Sequence, residues 1–269
     1  MFDYHVHTTF SPDAKSPMEE VIKSGIEKNL KEICFTDHID YDWDGKGNDI
    51  RFDFDSYFKT IDGFKEKYKD RISIKQGVEF GLQPHLIEKY QAVSRKYDFD
   101  FILCSVHSLR KEDLYQGVFF EGRPQQEAYN IYFEELAQVV DAYEDYSVLG
   151  HLDVIKRYGG YDVILPLEHY HDFLVPLLKK IIHLGKGLEL NTSGIRYNLG
   201  DFHPSLDILK IYRNLGGEIV TTGADSHQAH QVAYDFPHAL EALSSIGFKY
   251  VCTFDKMKPA FHSIEKLLR

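Results

Sequence analysis

Near its start the chain reads Tyr4-His5-Val6-His7. On an extended strand, residues two apart point to the same side. Two imidazoles on one side can grip one divalent ion. By itself His-x-His is a weak signal, because the same spacing occurs in ordinary cores. It gains weight from what stands at corresponding places further on: Thr36-Asp37-His38, Gly77-Val78-Glu79, Val106-His107, Gly150-His151-Leu152-Asp153, Glu189-Leu190-Asn191 and Gly223-Ala224-Asp225-Ser226-His227. Each group ends a short apolar run. Asp225 and His227 repeat the two-residue spacing, and Asp13 lies in the loop just past His7.

The candidate ligands are His5, His7, Asp13, His38, Glu79, His107, His151, Asp225 and His227. A mononuclear site uses three or four ligands. Nine therefore point to two or three ions, with three fitting best if one carboxylate is shared. Glu79 is the expected bridge, since it stands between Val78 and Phe80, where an unpaired buried charge is costly. Imidazole with carboxylate suits zinc, iron or manganese. Asp37 is expected to orient His38 through a hydrogen bond. His203, just before Pro204, reads as part of a helix approach, and the remaining seven histidines as surface or structural.

The elements that must position these residues are legible as alternation. Strand candidates are Phe2–Val6, Glu32–Thr36, Ile72–Glu79, Phe101–Val106, Tyr146–Gly150, Gly187–Asn191, Glu218–Gly223 and Phe248–Phe254. Ser16-Pro17-Met18-Glu19 reads as a capping box that opens a helix ending near Asn29. Apolar residues at helical spacing predict helices over Gln125–Tyr146, Pro204–Leu215 and Leu167–Leu184, the last kinked or split at Pro176. Strand–helix alternation with seven or eight strands implies an α/β fold, a parallel barrel whose strand C-termini converge on one face. Residues 1–269 are expected to form one domain.

Composition narrows the class. The charged fraction is 27% and the hydrophobic fraction 43%, with 18 Tyr and 19 Phe, which excludes a disordered chain. A formal charge of −11 makes a nucleic-acid partner unfavourable. No apolar run is long enough for a membrane span. Cys34, Cys104 and Cys252 are scattered in apolar runs, and no basic-then-apolar leader precedes the first strand. Both features lead to the expectation of a cytoplasmic protein with reduced thiols.

These residues resemble the polymerase and histidinol phosphatase (PHP) family. Tyr4-His5-Val6-His7-Thr8 looks like its first motif and Phe35-Thr36-Asp37-His38 its second. Val106-His107 with upstream Gly77-Val78-Glu79 resembles the third, and Gly223-Ala224-Asp225-Ser226-His227 the last. Chain length and Ser193-Gly194-Ile195-Arg196 resemble the histidinol-phosphatase branch. The resemblance implies a distorted (β/α)7 barrel that hydrolyses L-histidinol phosphate to L-histidinol in histidine biosynthesis. It also implies a partition of ligands: His5, His7, Glu79 and Asp225 on one ion, Glu79, His107 and His151 on a second, and Asp13, His38 and His227 on a third. Some members carry His where this chain has Asp13.

Phosphomonoester hydrolysis is very slow unaided. Metals lower the pKa of bound water toward about 7 and clamp phosphoryl oxygens. The expectation is a hydroxide held between two ions that attacks phosphorus in line, with Glu79 and Asp225 as catalytic carboxylates. Arg157 and Arg196 are expected on the phosphate, and Asn191 as a polar contact to substrate. Three long loops, Ile39–Asp55, Ser108–Gln125 and Thr192–His203, are placed to cover the pocket. The first is acidic and reads as solvated, with binding of a cationic amine or imidazole as the alternative. Competing readings are an amidohydrolase, which usually adds a Lys absent from Phe101–Val106, a nuclease module, and a non-catalytic metal-binding protein.

Overall fold

The computed structural model describes residues 1–269. Seven parallel strands alternate with helices: β1 Phe2–Val6, β2 Glu32–Phe35, β3 Ser73–Gly81, β4 Phe101–Ser105, β5 Val148–Leu149, β6 Gly187–Asn191 and β7 Val220–Gly223. Their spatial order equals their chain order. Neighbours are in register at Glu32↔Ser73, Gly77↔Phe101, Leu103↔Val148, Val148↔Gly187 and Asn191↔Gly223. A bridge between Val6 and Ser226 joins the last strand to the first, with the His7 N–H donating to the Ser226 carbonyl at 2.9 Å. The result is a nearly closed (β/α)7 barrel.

Apolar runs buried on both faces explain the strands: β1, β4 and β6 are buried at every position. Most outer helices bury one face, including α1 Met18–Glu27, α2 Phe54–Tyr68, α3 Ile87–Lys96 and α4 Gln125–Ala142. After them come α5 His171–His183, α6 Leu206–Asn214 and α7 Phe236–Ser245. The long helix α4 stops at Ala142, short of the expected Tyr146, because Tyr143 turns extended and leads into β5.

Two local helix expectations are corrected. Ser16 does not cap α1; its hydroxyl accepts the Ala229 N–H at 3.0 Å, and Glu19 is drawn to Tyr68 at 2.7 Å. Pro176 does not split its helix. The break falls earlier, where a 3-10 turn over Leu167–His169 gives way to α5, and Pro176 sits inside that helix. The carbonyl that loses its partner to Pro176 belongs to Asp172, whose side chain is fully exposed, so water can serve it.

The eighth apolar run is not a barrel strand. Strands β8 Tyr250–Asp255 and β9 Lys258–Ser263 form an antiparallel hairpin. This hairpin covers the N-terminal end of the barrel. Phe254 packs against Tyr4 and Phe101 with ring centroids 6.4 and 5.2 Å apart. The Met257 N–H donates to the carbonyl of Asp100, just ahead of β4. With that end plugged, the open mouth lies at the strand C-termini.

Candidate metal centre

All nine candidate ligands converge at that mouth. Glu79 near the end of β3 is the hub and is fully buried. Its Oε1 lies 3.0 Å from His151 Nε2, 3.3 Å from His107 Nε2 and 2.6 Å from the Ser105 hydroxyl that donates to it. Its Oε2 lies 3.1 Å from His5 Nε2, 3.5 Å from His7 Nε2 and 3.1 Å from His38 Nδ1. Asp225 Oδ1 stands 3.6 Å from His5 Nε2 and 3.5 Å from both His7 Nε2 and His227 Nδ1. Asp13 Oδ2 lies 3.0 Å from His227 Nε2 and 3.7 Å from His38 Nε2. These separations allow several three-ligand groups, among them His5–His7–Asp225, His38–Glu79–His107 and His7–His38–His227.

The donor set fits divalent ions. His7 Nε2 and His38 Nδ1 are buried without a hydrogen-bond partner, although a Glu79 oxygen is close to each. Ring nitrogens and carboxylate oxygens thus crowd together without donor-to-acceptor alignment. A cation between them satisfies lone pairs that would otherwise be buried and unpaired.

Charge in the cluster is polarised accordingly. Burial raises the pKa of Glu79, but His5, His107 and His38 outweigh it and hold the carboxyl well below its usual range. Asp225 is likewise held low by His5, His7 and His227 against its burial. For His7 burial dominates, and with His227 and His38 beside it the ring is pushed well below 6.5. It is therefore neutral, as a ligand must be.

Behind these groups stand carboxylates that orient them. His5 Nδ1–H donates to Glu189 Oε1 at 2.7 Å, and the His151 N–H donates to Glu189 Oε2 at 2.8 Å. Asp40 Oδ1 takes the Nδ1–H of His107 at 2.7 Å. The two ring bonds, at His5 and His107, fix tautomers that turn Nε2 toward Glu79, while the bond to His151 comes from its backbone N–H and anchors only the chain there. Two glycines make room. A Cβ on Gly81 would fall 1.8 Å from Asp40 Oδ1, and one on Gly223 would fall 2.0 Å from Glu189 Oε1.

The sequence reading did not single out Glu189 or Asp40 as site residues. Glu189 carried a usable signal, because it interrupts an apolar strand as Glu79 does. Asp40 carried none, being one aspartate of an acidic loop; it is buried while much of that loop is exposed. Asp37 does not touch the His38 ring. It accepts from the Thr8 N–H, the Thr8 hydroxyl and the Ser11 hydroxyl, and so ties the loop after β1. His203 is more than a helix approach: it is fully buried, and its Nδ1 bonds to Asp153 at 2.9 Å.

The two arginines differ in their surroundings. Arg157 lies 3.4 Å over the Tyr197 ring, with Nη1 4.0 Å from Asp225 Oδ2. Arg196 donates from Nη1 and Nη2 to the carbonyls of Ala224 and Asp225 at 2.6 and 2.7 Å. Asn191 is buried between Glu189, to which it donates at 3.1 Å, and the Ser193 N–H, which it accepts at 2.8 Å. Two candidate ligands just beyond their strands have left-handed backbone, His151 at φ 20° and Asp225 at φ 51°. Such strained residues gather where a site over-determines the backbone.

The PHP domain matches residues 3–193. A probable histidinol-phosphatase of Clostridium acetobutylicum is 35% identical over 253 residues, which cover 93% of this chain and 96% of that protein. A histidinol-phosphatase of Lactococcus lactis is 31% identical over 258 residues, 95% of each chain. A crystal structure of histidinol phosphate phosphatase from Lactococcus lactis, complexed with zinc, L-histidinol and phosphate, is similar at a TM-score of 0.88. It is 29% identical, with 96% of this chain and 98% of that one covered. By its motifs, its barrel and these near-full-length likenesses, the chain belongs to the PHP domain family.

Proposed function

We propose that this chain is a metal-dependent phosphomonoesterase that hydrolyses L-histidinol phosphate to L-histidinol and phosphate, a step of histidine biosynthesis. The observation that carries the reading is Glu79, a buried carboxylate with imidazoles against both of its oxygens, at a mouth where Arg157 faces Asp225. The substrate follows from the relatives named above, one of which binds zinc, L-histidinol and phosphate.

His5, His7, Glu79 and Asp225 would hold one ion; Glu79, His107 and His151 a second; and Asp13, His38 and His227 a third, with zinc favoured. Bound ions supply a water acidified toward about pH 7 and a sink for phosphoryl charge. The chain's own groups do the rest. Glu189 and Asp40 hold the ring nitrogens of His5 and His107 in their ligating tautomers. Arg157, braced on Tyr197, meets the phosphoryl oxygens with a planar fork of donors. Arg196 fixes the backbone that carries Asp225 and offers its remaining donors to the phosphate. Asp225 Oδ2 turns toward Arg157, away from the imidazoles around Oδ1, and is the oxygen placed to hold or pass a proton. Asn191 supports the floor beneath His5.

Residues 1–269 act as one unit, because the C-terminal hairpin closes the barrel that carries the site. Cys34, Cys104 and Cys252 are free and buried, which fits a reducing cytoplasm. No helix is long and apolar enough to cross a membrane.

The test is phosphate release by zinc-loaded protein from L-histidinol phosphate, beside glycerol phosphate and a short DNA strand. A strong preference for histidinol phosphate is expected. Equal rates on both monoesters would remove the substrate, and cleavage of the DNA would restore the nuclease reading.

A further inference from the structure

Apart from the metal cluster, the chain buries a second set of charged groups. Asp153 and Lys156 lie in the loop after β5 and pair at 2.8 Å, with side chains 2% and 4% exposed. Asp153 Oδ1 also accepts the Nδ1–H of His203 at 2.9 Å, and Oδ2 accepts the Ser205 N–H at 2.9 Å. Lys156 Nζ donates onward to the Phe202 carbonyl. Phe202, His203 and Ser205 belong to the loop after β6, between Asn191 and the start of α6. One buried carboxylate and one buried ammonium therefore tie two neighbouring loops together.

A buried ion pair is a poor source of stability, because desolvation of both charges offsets their attraction. What directed bonds among buried groups do fix is position. The residue positioned stands next in the chain. Lys156 and Arg157 are consecutive in a 3-10 turn over Val154–Arg157. Such a turn closes in three residues, so successive side chains diverge by about 120°. With Lys156 anchored inward, Arg157 is turned toward the mouth. Its guanidinium stacks on Tyr197 at 3.4 Å and reaches Asp225 Oδ2 only at 4.0 Å. Tyr197 stands in the loop after β6. The arginine and the ring that braces it thus come from the two loops that Asp153 joins.

We propose that Asp153, Lys156 and His203 are positioning residues for Arg157, a buried knot that sets where its guanidinium meets a phosphoryl group. Lys156 sets the rotation of the turn, and His203 holds the loop of Tyr197 at a fixed distance from it. The knot acts through the arginine and touches no substrate. This inference rests on the phosphomonoesterase reading above, in which Arg157 binds the phosphoryl oxygens.

The experiment measures the Kd of inorganic phosphate by calorimetry, and kcat/KM for L-histidinol phosphate, on zinc-loaded protein. Asp153→Asn combined with Lys156→Met removes both charges and so leaves no unpaired ion in the interior. In that variant the phosphate Kd is expected to rise about tenfold and kcat/KM to fall at least about tenfold, mainly through KM. His203→Gln, which keeps the ion pair, loosens the knot from the other loop and should shift Kd in the same direction. Circular dichroism and bound-zinc analysis check that the variants fold and load. Arg157→Ala alone should also weaken phosphate binding, and adding the Asp153→Asn and Lys156→Met changes to it should cause no further loss. A phosphate Kd unchanged in the folded variants, or a loss that adds in full to that of Arg157→Ala, overturns the positioning role alone. A zinc-loaded wild type that hydrolyses no phosphomonoester overturns the proposed function, and the positioning role with it.

Discussion

Glu189 shows how much of the centre depends on groups that touch no ion. It is buried at 1% exposure and holds His5 through Nδ1 and His151 through its backbone N–H. Loss of such a partner typically costs about 10- to 100-fold in metal affinity. Glu189→Gln is expected to weaken zinc binding by that factor in competition with a chelator, with the far-ultraviolet spectrum unchanged. Unaltered affinity would show that His5 is oriented by packing alone. His203 gives a prediction in pH. Burial lowers its pKa to about 4, with Asp153 opposing and Lys156 reinforcing. The folded pKa is below the usual 6.5, so the ring is neutral in both states at higher pH. As pH falls from about 6.5 to 4 the unfolded chain takes up a proton that the folded chain refuses. Stability is lost across that window at about 1.4 kcal/mol per pH unit. Asp3 has the opposite sign, since burial pushes its pKa up to about 6 against three N–H donors. The comparison is therefore between wild type and His203→Gln, both metal-free, in urea at pH 7 and pH 5. The loss on acidification should be smaller in the variant by about 2 kcal/mol.

At the scale of elements, the barrel delivers ligands because its strands are parallel and end at one level. Gly81 and Gly223 stand at the ends of β3 and β7, where a side chain would displace Asp40 or Glu189. The other end of the barrel depends on the hairpin β8–β9. Tyr4 links the two, its hydroxyl accepting the Phe254 N–H at 2.7 Å. Phe254 is 2% exposed and packs on both Tyr4 and Phe101. Phe254→Ala is expected to cost about 3–5 kcal/mol in urea unfolding. Zinc per folded chain should stay the same, because the hairpin closes the end opposite the metals. Zinc lost in proportion to stability would instead couple the floor to the mouth.

For the whole molecule, net charge and site charge pull in opposite directions. The chain is at −11, yet the proposed substrate is an anion. The cluster that receives it is itself rich in carboxylates, so local attraction must come from cations and from Arg157 and Arg196. Ions bound only by the folded state also stabilise it. At free ion about 1,000-fold above Kd the gain is about 4 kcal/mol. For a chain of this size that corresponds to about 8–16 °C in Tm. Chelation should lower Tm by that amount, and zinc should restore it. A Tm indifferent to chelator would mean that the imidazole and carboxylate cluster is preorganised without ions.

The candidate ligands were legible because the strand period and the barrel rule act locally. A polar residue ending an apolar run can face only the mouth, whatever the other runs do. The parallel barrel of seven or eight strands, the nine candidate ligands and the family resemblance followed from that pattern. The capping role of Ser16 failed because Ala229, more than 200 residues away, takes its hydroxyl. Phe248–Phe254 looked like a barrel strand because a short buried run reads the same in a hairpin. Asp40 and the commitments of Arg196 were invisible for a similar reason. Which acidic loop residue turns inward and which carbonyl an arginine takes are set by long-range neighbours. Local pattern determined what kind of chemistry the chain carries. Only the closed barrel decided which charges support it, which face the substrate and which merely hold the backbone in place.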